Sequence, residues 1–206
     1  IPYVTLLDLD FGKEHGGWQK LQYIRNQLVE LYPQGEECLN VTFEGGRVAN
    51  ISESEFNSFF SDIKIDTLLT SWINYFKKFK VFFSNPLDID FAMLESFFDH
   101  YKSLIYARSG RGPRLPDEND NKYEGACQER MWQVIDCEDE EKERLLGFYS
   151  YEQQELFPWY KYLFVDGSKP ATHMQAMIDI LEDNWEDNWP TCLVELVNAV
   201  TNALDE

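Results

Sequence analysis

The chain has 206 residues, 44% hydrophobic and 16% aromatic, enough to bury one core, while charges interrupt its apolar runs short of the ~20 residues a membrane span needs. Its 37 acidic against 18 basic side chains leave a formal charge of −19, so most of the surface repels a polyanion. Any nucleic acid must be held by a local basic patch, by metal ions or by a partner domain. Cys38, Cys127, Cys137 and Cys192 lack paired CxxC spacing, which argues against a zinc site or disulfide framework and fits a reduced, cytoplasmic, membrane-free protein.

The chain opens on Ile1 with a strand almost at once, as a piece cut from a longer protein would. The apolar run Ile1–Leu7 stops on Asp8 and Asp10. On a strand, residues two apart face the same side, so these carboxylates are expected to share one small volume, where both ionise only with a cation between them. The glycine-bearing turn 12–17 leads into a helix with Leu21, Ile24, Leu28 and Leu31 at helical spacing. Val41–Phe43 reads as a short strand, and a second helix carries Leu69, Trp72, Ile73 and Phe76 before the basic cluster Lys77–Lys80.

Val81–Ser84 reads as a buried strand broken by Asn85–Pro86, and Asp88 starts a helix with Phe91, Leu94, Phe98 and Tyr101. Alternating strands and helices predict a small parallel sheet over residues 1–106. Residues 107–122 have loop composition, hold the chain's best local concentration of arginine, including Arg111, and are expected to be mobile. Residues 123–206 read as helices over about 123–136, 139–146, 151–164, 170–185 and 190–204.

In open α/β sheets, ligands gather at the carboxyl ends of strands. Asp8 and Asp10 stand at one such end, and Ser84, Asp88 and Asp90 follow another; Asp88 also suits a helix N-cap. Lys169 begins a helix after Ser168, ahead of Pro170 and His173, where an ammonium beside free backbone N–H groups can clamp a phosphate oxygen. The apolar face of that helix reads as Met174, Met177, Ile178 and Leu181. Core packing is expected for the aromatic run Phe157–Phe164 and for Trp185 and Trp189.

Three segments, Tyr3–Asp10 leading to Gly16-Gly17-Trp18, Val81–Asp90 and Ser168–His173, resemble the C-terminal Toprim domain of OLD-family (overcoming lysogenization defect) nucleases. The resemblance spans most of the chain. It implies a Toprim-like parallel sheet with a helical C-terminal half that supplies Lys169. Asp8 and Asp10 would be the DxD ligands of a Mg²⁺ or Mn²⁺ pair, Asp88 or Asp90 a further metal acid, and Lys169 the contact to the scissile phosphate. Ser84, Arg111 and His173 are further substrate-binding candidates. The family's glutamate would lie upstream of Ile1. The implied partners are DNA and an ATPase, either an upstream domain or a separate chain, in a homo-oligomer that serves defence against phage.

Two other readings compete. A haloacid-dehalogenase-like phosphatase would use Asp8 as nucleophile, with Asp10, Ser84 and Lys169 in its motif order; its last acidic motif would fall at Asp183–Asp187, after a helical stripe where that family needs an apolar strand. A non-catalytic module would instead dock a basic partner on the acidic surface.

Overall fold

A computed structural model describes residues 3–31, 40–42, 48–50, 65–107, 110–137, 139–182 and 188–205. β1 (Thr5–Asp8) is followed by α1 (Trp18–Leu31), short strands β2 (Asn40–Thr42) and β3 (Val48–Asn50), α2 (Ile65–Lys77) and β4 (Val81–Ser84). The described chain then turns helical: α3 (Ile89–Ser96), α4 (Phe98–Ala107), α5 (Tyr123–Ile135), α6 (Asp139–Phe148), α7 (Tyr151–Tyr160), a π-helical turn (Lys161–Val165), α8 (Lys169–Glu182) and α9 (Thr191–Asp205). The fold is mixed α/β and mostly helical. Cys38, Phe43, Trp185 and Asp183–Asp187 lie outside the described residues.

β1 and β4 pair in parallel, Thr5 opposite Val81 and Asp8 opposite Ser84, while β2 and β3 form a separate antiparallel pair. All four β4 residues are buried, and on one flank the α2 stripe Leu69, Trp72, Ile73 and Phe76 is buried as its spacing predicts. α3 buries Phe91, Ala92, Met93 and Leu94 in succession, the mark of a helix enclosed on every side. Each such large side chain contributes about 1.5–3 kcal/mol by leaving water. α5 packs along α7, and α4 along α8. No described helix is long and apolar enough to cross a membrane.

Three details differ from the sequence reading. The helix after Asp88 breaks at Phe97 (φ −129°, ψ 36°), where no glycine or proline warns of it. Burial of the Phe97 ring, edge-on to Trp189 at 5.8 Å, overrides helix propensity there. The helix expected over 151–164 stops at Tyr160: Pro158 removes an N–H from the ladder, which re-forms in wider turns closed by Asp166 N to Lys161 O at 2.8 Å.

α8 turns the other way from expectation. It buries Thr172, Ala176 and Ile180, half-buries Met177 against the core, and leaves Met174, Ile178 and Leu181 exposed. Residues 110–122 lack regular secondary structure, as expected, and within them Gly112 is buried against α7. Gly112 has φ 68° and touches Trp159 so closely that a Cβ there would sit 2.8 Å from the ring.

The candidate site at the carboxyl ends of β1 and β4

The parallel register sets Ser84 beside Asp8. Ser84, fully buried, donates its hydroxyl to Asp8 Oδ1 at 2.8 Å, and the first amide of α3, Ile89 N, donates to the same oxygen at 3.1 Å. Ser84 is thereby spent on holding Asp8, where the sequence reading had it touching substrate. Asp8 Oδ2 accepts no hydrogen bond from any described residue.

Asp10 reaches the same region by a route the sequence reading did not foresee. The strand ends at Asp8, and Asp10 takes a left-handed φ of 51°, so a turn and not strand alternation aims its side chain. Its amide donates to Leu87 O at 2.6 Å, stitching this turn to the loop after β4. Gly16 closes back so tightly that a Cβ would lie 1.9 Å from Asp10 O, which only glycine permits. Asp10 Oδ1 accepts from Lys13 Nζ at 3.0 Å and Oδ2 from Lys20 Nζ at 2.6 Å. Lys20 Nζ also donates to Asp8 O at 2.6 Å. Lys20 thus links the Asp10 carboxylate to the Asp8 main-chain carbonyl, and the Asp8 carboxylate is held by Ser84 and Ile89 N instead.

Asp88 is the N-cap of α3, with Oδ1 accepting from Phe91 N at 2.9 Å, and Tyr160 donates its hydroxyl to Oδ2. Lys13 and Lys169 each stand 3.8 Å from Asp88 Oδ2. Asp90, in the first turn of the same helix, pairs with Lys169 through Oδ2 and with His173 Nε2 through Oδ1 at 2.7 Å. Tyr101 OH meets His173 Nδ1 at 2.7 Å, and Phe164 stacks on the imidazole at 4.9 Å. α8 therefore sends Lys169 and His173, four residues and about one turn apart, onto acids from the β4 loop.

Four carboxylates meet three ammonium groups here, and their environments push the acids apart. Burial raises the Asp88 pKa, aided by the charge of Asp90 and opposed by Tyr160, Phe91 N and Lys13. Asp10 and Asp90 also suffer burial, the largest single influence on each, yet end below the ordinary carboxylate value. Lys20 and Lys13 hold Asp10 ionised, and His173 and Lys169 hold Asp90. Lys169 is kept charged by Asp90, Asp88 and Asp8 against a burial penalty that is its largest single influence.

The sequence candidates Asp8, Asp10, Ser84, Asp88, Asp90, Lys169 and His173 are brought together. Arg111 is not: it lines a groove of about 520 Å³ with Lys102, Trp159 and Glu155, and none of the site's acids borders that groove. Lys13, Lys20, Tyr101 and Tyr160 were missed. The two lysines sit within ten residues of the aspartate pair, in the turn and helix that follow it, which is a usable signal; nothing local marks the tyrosines.

The donors suit Mg²⁺ or Mn²⁺, being carboxylate oxygens with no thiol among them. Asp8 Oδ2 is open, whereas both oxygens of Asp10, Asp88 and Asp90 already have protein partners. Among the described residues no three His, Cys, Asp or Glu side chains stand grouped for a metal ion. The set fits a metal by the chemistry of its donors, with Asp8 as the ready ligand. No family model, curated protein or solved structure matches the chain.

Proposed function

We propose that this site hydrolyses phosphodiesters in DNA with the help of Mg²⁺ or Mn²⁺, in the manner of a Toprim nuclease. The observation that carries the reading is the pairing of Lys169, from α8, with Asp88 and Asp90 after β4, next to Ile89, whose amide holds the Asp8 carboxylate at the end of β1. Asp8 and Asp10 would hold the metal, with Asp88 and Asp90 as neighbouring carboxylates. The bound ion would lower the pKa of a water and offset charge on the phosphate.

The chain's own residues supply the rest. Ser84 and Ile89 N orient the Asp8 carboxylate and leave Oδ2 free. Lys169, 47% exposed and held charged, stands where it can pair with a phosphate oxygen as charge builds in the transition state. Tyr160 and the α3 amide fix Asp88, and Tyr101 fixes His173. On a chain of charge −19, DNA needs this local cationic side and a partner, for which an ATPase and a second copy of the chain are the proposed candidates.

The Ser84 to Asp8 hydrogen bond also favours a second reading, a phosphatase with Asp8 as nucleophile. Both oxygens of Asp10 are taken by Lys13 and Lys20, so this reading leaves Asp10 no part beyond holding those lysines. Incubating the protein with supercoiled plasmid separates the two. Nicking with Mn²⁺ that stops in EDTA supports the nuclease. Turnover of p-nitrophenyl phosphate without nicking overturns it in favour of the phosphatase.

A further inference from the structure

Lys20 rises from the first turn of α1, and its ammonium bridges two oxygens that belong to the aspartate pair: Asp8 O and Asp10 Oδ2, each at 2.6 Å. A main-chain carbonyl and a carboxylate from residues two apart are the hard-oxygen donors a divalent cation takes, and here one monovalent group fills the space between them. The loop is shaped around this arrangement. Asp10 adopts φ 51°, Gly17 N donates to Leu9 O at 2.7 Å, and Gly16 packs on Asp10 O, so the carbonyl and the carboxylate face the start of α1 together. Lys20 is only 25% exposed and is fixed by two short contacts, unlike a lysine lying on the surface.

We propose that Lys20 is an internal placeholder for the metal: its ammonium occupies a cation seat formed by Asp8 O and Asp10 Oδ2, and a divalent ion binds by displacing it. The proposal rests on the metal-dependent reading of this site and adds a competing residue to it. It places the counter-charge of Asp10 on the chain itself. It also makes metal affinity adjustable through one side chain that is not itself a ligand. Lys13, which bonds the other Asp10 oxygen, neutralises the acid without bridging to Asp8.

Mn²⁺ alone, titrated into the 206-residue protein and read by calorimetry or by loss of the free-ion EPR signal, tests this without any substrate. Removing a competing positive charge a few ångströms away should tighten Mn²⁺ binding by Lys20→Met about tenfold or more. Lys20→Arg, which keeps the charge, should stay near wild type, and the gain should vanish in Lys20→Met combined with Asp10→Asn. Unchanged or weaker binding by a folded Lys20→Met, or no Mn²⁺ binding by either protein, overturns the proposal.

Should Lys20→Met fail to fold, wild-type protein answers alone. Mn²⁺ should raise acetylation of Lys20 several-fold by mass spectrometry while leaving Lys142 unchanged, and equal or lower Lys20 labelling overturns the idea. The two layers fail separately: a tenfold gain in a protein that never nicks DNA spares Lys20 and sinks the nuclease, whereas cleavage without the gain does the reverse.

Discussion

At the carboxyl ends of β1 and β4, acids and lysines are bonded to one another; in the groove between residues 111–118 and α7, they stand beside one another. The groove also holds glutamates, a lysine and aromatic rings. Yet Lys102 lies over Phe98 and Trp159, at 5.5 and 5.8 Å from the ring centroids, and Glu118 and Glu152 face solvent. At the strand ends each acid is placed by two or more donors; burial raises Asp88, while cationic partners bring Asp10 and Asp90 below the ordinary carboxylate value against the same burial. Constraint, more than the number of acids, separates a candidate reactive centre from a charged surface.

The largest effect that would sharpen this contrast lies behind the charges. Phe157, fully buried against Phe91 at 5.0 Å and Tyr149 at 5.1 Å, backs the shell around Asp88. Phe157→Ala should cost about 3–5 kcal/mol in urea unfolding. A loss below 1 kcal/mol would mean the shell is not packed as described. Asp10→Asn comes next: it strands two ammonium groups and should cost about 1–3 kcal/mol at neutral pH. Asp88→Asn, whose amide oxygen can still accept from Tyr160 or Phe91 N, should cost less than about 1 kcal/mol. Equal costs would erase the distinction between the two acids.

The pH profile carries the same asymmetry with a definite sign. Asp10 and Asp90 titrate below their ordinary value of 3.8 in the folded protein, so the stability they contribute is fully present above that pH. It is lost as pH falls through their depressed folded values. Asp88 is shifted upward and works in the opposite direction, relieving a buried charge as it protonates. Unfolding free energy measured from pH 6 to pH 2 should therefore fall less steeply in Asp10→Asn than in wild type, and an unchanged acid limb would contradict the lysine clamps. The smallest effect belongs to the groove: Lys102→Ala should change stability by no more than about 1 kcal/mol and leave any DNA cleavage intact. A larger loss would show the groove to be more than a surface.

Much of the fold was readable where pattern and packing agree. β4 runs from Val81 to Ser84 as expected, the α2 stripe is buried, and Asp88 caps α3. α8 misled because it is apolar on both sides, and periodicity alone does not say which stripe is buried: Ala176 and Ile180 are, while Met174 and Ile178 are not. In the site, aspartates after apolar strands and a lysine at a helix start were visible as local signals. Tyr160 and Tyr101 were not, because their partners Asp88 and His173 each lie 72 residues away. The strand alternation expected to pair Asp8 with Asp10 does not apply, since the strand ends at Asp8 and a left-handed turn closed by Gly16 sets Asp10.

Mn²⁺-dependent nicking of supercoiled plasmid by Asp8→Ala, run beside wild type with circular dichroism to confirm the fold, tests the account most directly. Asp8 holds the one carboxylate oxygen of the four acids left open by the described residues, so cleavage should drop to background with the helical spectrum unchanged. Cleavage by Asp8→Ala at the wild-type rate would contradict the account.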